Sequence, residues 1–295
     1  IIGGNVFGYS CNYDEAEKII ISGLDLGINQ IDTADTYSSG KSEKIIGKII
    51  NRNKLKNKIK IYTKVGSVNY NFTNLNSKKN IYSKIDSSLK RLKIDCIDLY
   101  QLHNFDPITP LEETIESLMA LTQSGKILDF GVSNFFKSHL LEVDKIKKKK
   151  LFNQLNLNIL NIENKKLSKL CKIIAYGVLG RGVITDNFFS NKLSFRKSKS
   201  SSIIKDLKNN KLRKYLIKLR KIAFLNDLSL EQLAFNYIYN LKNVSKMIVG
   251  VNDLESLINL VSKKNVKITK NKINKLQKLF LDDFGLSNNI LGKFL

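Results

Sequence analysis

Four side chains capable of proton chemistry stand at or just past the ends of three consecutive predicted strands. Asp32 and Tyr37 lie in IDTADTYSSGKSEKIIG, Lys64 closes KIKIYTK, and His103 follows DLYQL. A phenol, with an ordinary pKa of about 10, is a poor proton donor at neutral pH. An ammonium beside it stabilises the phenolate and lowers that pKa, and a carboxylate keeps the ammonium charged and oriented. An imidazole nearby can hold a substrate oxygen by hydrogen bonding. The set suits protonation of an oxygen on which negative charge is developing. Singly, each residue has a plainer reading: Asp32 as a turn cap, Tyr37 as a wedge on a rim, Lys64 as a solvated strand end, His103 as a satisfied core histidine. Those readings leave unexplained why strands two, three and four all end in a titratable group.

The elements that must position these residues alternate. Apolar or alternating runs predict strands at 1–7, 28–31, 58–64, 95–102, 127–132, 151–155, 173–176 and 247–249. Between them, helical spacing predicts helices at 13–26, from Ser42-Glu43 through Ile50, at 80–92, from Pro110 to Ser124-Gly125, at 135–147 and, shorter, at 162–170. Residues 177–205 read as a long loop with Phe188, Phe189 and Phe195 embedded. Helices follow at 212–225, 229–241 and 253–261, with a C-terminal helix at 270–281. This alternation predicts an α/β fold, a (β/α)8 TIM barrel, with residues 1–295 forming a single domain. An open doubly wound sheet would carry G-x-G-x-x-G after its first strand, a spacing that Gly3, Gly4 and Gly8 do not make. In a barrel, residues past the strand ends converge on one mouth. Ser133, Asn134, Gln154, Asn156 and Tyr176 join the first four there.

Composition sets the bounds. Hydrophobic residues at 42% and charged residues at 26% describe an ordinary globular chain, and no apolar run approaches a membrane span. The first residues carry no basic region, so no signal peptide is expected. The net charge of +24 invites a nucleic-acid partner. The lysines, however, are spread along nearly the whole chain among Asn and Ile, as a compositional bias of solvated surfaces would spread them. The expected consequence is a positive field favouring anionic ligands such as phosphates. Three separated cysteines and two histidines fit neither a disulfide framework nor a metal site, and a reduced, cytoplasmic setting is expected.

The motifs GINQIDTADTYSSGKSEKIIG, IYTKVG, DLYQLH, SGKILDFGVSNF, IAYGVLGRG, EQLAFNYI and MIVGVNDLESL, in this order and across nearly the whole chain, resemble the aldo-keto reductase family. The resemblance implies a catalytic tetrad of Asp32, Tyr37, Lys64 and His103. It implies a nicotinamide cofactor without a Rossmann domain, NADP or alternatively NAD. Ser133, Asn134 and Gln154 would bind the carboxamide, Tyr176 would stack on the nicotinamide, and Gly250 would belong to the cofactor site. The activity implied is reduction of an aldehyde or ketone, a small-molecule carbonyl substrate, with Tyr37 as proton donor; a non-catalytic subunit like the family's channel β-subunits is the alternative. The chain departs from the family in having Val178 where Pro is common, no tryptophan, and Asn259-Leu260 where the family has Glu-Asn. In Gly250-Val251-Asn252-Asp253-Leu254, where a cation for the 2′-phosphate of NADP is usual, there is none.

Overall fold

The computed structural model describes residues 1–67, 74–147, 149–189, 210–268 and 270–284. Its strands are β1 (Ile2–Gly3), β2 (Gln30–Asp32), β3 (Lys60–Val65), β4 (Ile97–Leu102), β5 (Ile127–Ser133), β6 (Phe152–Asn156), β7 (Lys172–Tyr176) and β8 (Val244–Met247). They form one sheet in sequence order, β1 to β8. Helices alternate with them: α1 (Tyr13–Asp25), α2 (Lys41–Arg52), α3 (Lys78–Leu92), α4 (Leu111–Gln123), α5 (Lys137–Ile146), α6 (Asn210–Phe224), α7 (Leu230–Tyr239), α8 (Leu254–Ser262) and α9 (Lys270–Phe284). The fold is a (β/α)8 barrel of the α/β class. No described helix is long and apolar enough to cross a membrane.

Register determines which side chains meet. In the parallel ladders Asp32 faces Tyr62, Lys64 faces Gln101, Gln101 faces Gly131, and Ser133 faces Gln154. Side chains alternate along a strand, so positions two apart share a face. Asp32, Lys64, Gln101, Ser133 and Gln154 therefore point to one side of the sheet, and Thr63, between Tyr62 and Lys64, points to the other.

The chain divides into two compact units. The first comprises Ile1–Leu155, Lys166–Ile174 and Ile248–Leu257; the remaining described residues form the second. In the first, the apolar stripes of α1 to α4 bury Ile19, Ile20, Ile46, Ile49, Ile85 and Leu118. Its helices start where side chains can replace the missing intrahelical acceptors: Asn12 accepts from Glu15 N at 2.9 Å, and Ser77 from Asn80 N at 3.4 Å. In the second unit Ser229 and Gln232 cap α7 reciprocally, and Tyr215 packs edge-on against Phe280.

Several boundaries differ from the sequence reading for physical reasons. Pro110 does not begin α4. It is the flanking residue, with ψ of 130° outside the helical region, and Leu111 is the first helical position. Residues 163–169 form 3₁₀ turns rather than an α-helix, and none of them is buried, so no apolar face supports a longer helix. The strand expected at 247–249 is displaced to Val244–Met247. The apolar run Ile248-Val249 is buried, and Val249 makes a lone parallel bridge to Ile2. The 177–205 loop contains 3₁₀ turns at Gly180–Gly182 and Asp186–Phe189; Phe188 is buried against Phe189, while Phe195 lies outside the described residues. The C-terminal helix runs on to Phe284.

Gly47 shows how closely α2 and α3 approach. A Cβ there would lie 2.6 Å from both the carbonyl carbon and the oxygen of Leu92, which are backbone atoms unable to move aside alone. Alanine in a helix interior gains about 1 kcal/mol over glycine, whereas overpacking costs about 1–3 kcal/mol. Gly47→Ala is expected to lower unfolding stability, by up to about 2 kcal/mol, in urea titration. A stabilised variant would contradict this packing.

Candidate active site

The site is built on a lysine that has no access to water. Lys64 is 0% exposed and Asp32 1%. The Lys64 Nζ lies 2.7 Å from Asp32 Oδ2, 2.7 Å from the carbonyl oxygen of Thr33 and 3.4 Å from the hydroxyl of Tyr37. An ammonium has three N–H donors, and here each has an acceptor. Burial works against the charged form, but the carboxylate of Asp32, and after it Tyr37, outweigh that penalty. The Lys64 pKa is raised above its ordinary value, and the group is a cation. With the ammonium donating to the phenol oxygen, the Tyr37 proton is directed away from Lys64.

Tyr37 reaches this position through a strained turn. Ser38 and Ser39 have φ of 50° and 55°, both left-handed, and Gly40 follows at 82° before α2 begins. Two consecutive non-glycine residues in this region cost about 1–2 kcal/mol each, so surrounding contacts must hold them. Ser38 Oγ lies 3.3 Å from the carbonyl oxygen of Phe7, and Tyr37 N donates to the carbonyl of Ala34 at 3.2 Å. The sequence marks Ser38-Ser39-Gly40 as a turn but does not show its handedness.

His103, one residue past β4, presents its ring to Tyr37 edge-on with centroids 5.6 Å apart. Its Nδ1 is buried without a hydrogen-bond partner among the described residues. Burial, and then the Lys64 charge, push its pKa down to about 3, so the imidazole is neutral and can both donate and accept. The second histidine is structural: His139 stacks on Phe105 at 3.8 Å and accepts from Phe136 N, joining the segments after β4 and β5.

The amide residues form a second layer. Gln154 donates to Asp32 Oδ1 at 2.8 Å, so both oxygens of that carboxylate are engaged. Ser133 Oγ donates to the carbonyl of Gln154 at 3.1 Å, and Asn134, left-handed at φ 61°, reaches Ser133 Oγ at 3.1 Å. This group of two amides and a hydroxyl can both donate and accept, which is the chemistry a carboxamide requires. Gly250 packs near β1: a Cβ there would lie 3.1 Å from the carbonyl oxygen of Gly3. Tyr176, half-buried at the end of β7, belongs to the second unit. Asn156, also expected at the mouth, belongs to the second unit as well, whereas Asp32, Tyr37, Lys64, His103, Ser133, Asn134, Gln154 and Gly250 all belong to the first.

Sequence reasoning did not single out three contributors. Gln101, whose register pairs it with Lys64, lies 3.4 Å from Gln154 Nε2 and donates to the carbonyl of Val132. On the opposite face Thr63 donates to the buried carboxylate of Glu43, which also takes Arg91 Nε at 2.6 Å. Asp35, beside that pair, has an oxygen with no partner among the described residues. Strand alternation could have found Gln101; Glu43 and Asp35 become visible only through the packing of α2 and α3.

The eight-stranded parallel barrel, with a buried lysine–aspartate pair beside a tyrosine and a histidine edge-on to its ring, places the chain among the (β/α)8 barrel proteins. Residues 1–280 match the model of the aldo/keto reductase family, and the chain belongs to that family. It is 42% identical over 139 residues to the aldo-keto reductase YhdN of Bacillus subtilis, a match spanning 45% of this chain and 41% of that one. It is 31% identical over 189 residues to an aldo-keto reductase of Gibberella moniliformis, covering 61% of this chain and 57% of that one. These matches thus span about half the length of both relatives. Among solved structures, the glycerol dehydrogenase AKR11B4 of Gluconobacter oxydans superposes with a TM-score of 0.78 at 24% identity, over 96% of this chain and 92% of that one.

Two pH-dependent outcomes follow. The His103 imidazole is expected to remain neutral at pH 5 by nuclear magnetic resonance; a titration midpoint above 6 would contradict its burial. Burial, and then the charge of Glu43, raise Asp35 from 3.8 to about 6. A carboxyl raised on folding contributes its stability below the unfolded pKa and loses it as pH rises through about 6. Asp35→Asn should therefore stabilise the protein by about 1–2 kcal/mol at pH 8 and give no advantage below pH 4, measured by denaturant unfolding.

Proposed function

We propose that the protein reduces an aldehyde or ketone to an alcohol using a reduced nicotinamide dinucleotide, with Tyr37 donating the proton. A nicotinamide, when bound, supplies the hydride; the chain's own residues handle the oxygen. As negative charge develops on the carbonyl oxygen, Tyr37 releases its proton to it, and the phenolate left behind is stabilised by the Lys64 ammonium 3.4 Å away. Asp32 keeps that ammonium charged and in place. Neutral His103, beside the phenol ring, can donate a hydrogen bond to the same substrate oxygen. Ser133, Asn134 and Gln154 would hold the carboxamide, Tyr176 would stack on the nicotinamide ring, and Gly250 would line the cofactor's path. The single observation carrying this reading is the fully buried Lys64, held by Asp32 with its third donor on the Tyr37 oxygen.

A non-catalytic subunit that keeps the fold is not favoured. A buried ion pair aimed at a tyrosine costs desolvation that a structural role does not require. Tyr37→Phe is expected to lower kcat for carbonyl reduction by about 10²–10⁴-fold while leaving dinucleotide affinity within about twofold, by stopped-flow assay and fluorescence titration. Turnover near that of the parent protein would remove Tyr37 from the role.

A further inference from the structure

A buried amide lies between the chain segments that leave β3 and β4, the strands that deliver Lys64 and His103. Asn76, just ahead of α3, is 2% exposed. Its Nδ2 donates to the carbonyl oxygen of Asn104 at 2.9 Å, one residue past His103. Its Oδ1 lies against Gly66, two residues past Lys64: a Cβ at that glycine, where φ is 77°, would be 2.0 Å from it. The backbone of Asn76 is held as firmly. Its N–H donates to Asp106 Oδ2 at 3.0 Å, and its carbonyl accepts from Thr114 Oγ1 at 3.0 Å. Asp106, 3% exposed, also accepts from Thr109 Oγ1 at 2.7 Å and from Ile108 N at 3.0 Å, so one carboxylate fixes the segment after β4 as well. One feature is costly. Asn76 Oδ1 is buried with no hydrogen-bond partner among the described residues. A residue serving packing alone would do better without that oxygen.

We infer that Asn76 is a positioning residue for His103, setting the place of the imidazole relative to Tyr37 and Lys64. This rests on the reading above of His103 as a hydrogen-bond donor to the substrate oxygen. His103 N donates to the carbonyl of Val65 at 2.7 Å, which ties the histidine to β3 on one side. On the other side Asn134 reaches the His103 carbonyl at 3.5 Å, whereas Asn76 holds the next carbonyl at 2.9 Å. A planar amide touching Gly66 at one end and Asn104 at the other turns the gap between the two strand ends into a fixed distance between lysine and imidazole. Such precision matters to a group that orients a reacting oxygen, since a misplacement of about 1 Å costs on the order of 10²-fold in rate.

The test is a double-mutant cycle in steady-state reduction of p-nitrobenzaldehyde by the full chain, at saturating NADPH or NADH, whichever binds more tightly. Asn76→Ala is expected to lower kcat about 10²-fold while dinucleotide affinity stays within about twofold of the parent. In a His103→Ala background the same substitution should change kcat by no more than about twofold, because the group it positions is gone. Asn76→Leu keeps the bulk of the side chain and discards the unsatisfied oxygen; it should fold and show the same kinetic pattern. Losses at Asn76 and His103 that multiply, or a folded Asn76 variant with kcat within about threefold of the parent, overturn the inference and leave the reductase reading intact. Failure of both Asn76 variants to fold assigns the residue to stability alone and also overturns it. A parent protein that binds dinucleotide and reduces no aldehyde overturns the two together.

Discussion

A lysine ammonium withdrawn completely from water can remain charged only if every one of its donors is met by an acceptor in fixed geometry. Leaving one partner out of such a group costs several kcal/mol, about 3–5 by comparison with other buried pairs. Lys64 meets the requirement with a carboxylate, a backbone carbonyl and a phenol oxygen supplied by β2 and the turn that follows it. Much of the first unit is arranged around that demand. Parallel register brings Asp32 alongside β3, and the glycine in β1 allows the closest approach: a side chain at Gly3 would lie 2.8 Å from the backbone nitrogen of Asp32. The left-handed serines then turn the chain so that Tyr37 comes back over the ammonium.

Beneath that layer lies a second polar cluster with a different character. Glu43 is buried and doubly hydrogen-bonded to Thr63 and Arg91, and Ser42 pairs with Thr33 at 2.8 Å. These contacts fasten α2 and α3 to the outer face of the same strands whose inner face holds Lys64. Asp35 and Tyr100 are less well served, since the Tyr100 hydroxyl also has no partner among the described residues. Groups left unsatisfied in this way are tolerated where a neighbouring requirement dominates, and here the turn that delivers Tyr37 is that requirement.

Much of this was legible from residue order. Alternation in KIKIYTK and the apolar stripe through Ile45, Ile46, Ile49 and Ile50 identify β3 and α2, because burial on one face leaves a periodic trace. Asp32, Tyr37, Lys64 and His103 stood out because polar residues at successive strand ends break that trace. Other features leave no such mark. The left-handed conformation of Ser38 and Ser39 is carried by residues common in any turn, and Ile248-Val249 is apolar because it is buried, not because it sits in a ladder. Gln154 could be recognised as a residue of the mouth, but its bond to Asp32 spans 122 positions and depends on the registers of four successive strand pairs.

That bond makes one carboxylate a shared node. Asp32 takes Gln154 on Oδ1 and Lys64 on Oδ2. A ligand that draws the Gln154 amide toward itself leaves more of the Asp32 charge to the lysine, which in turn changes how readily Tyr37 gives up its proton. Thermodynamic linkage makes the effect reciprocal: ionising the phenol must alter the affinity for that ligand by the same factor. Occupancy of the mouth and acidity of the phenol are therefore not separate properties of this barrel but two readings of one equilibrium.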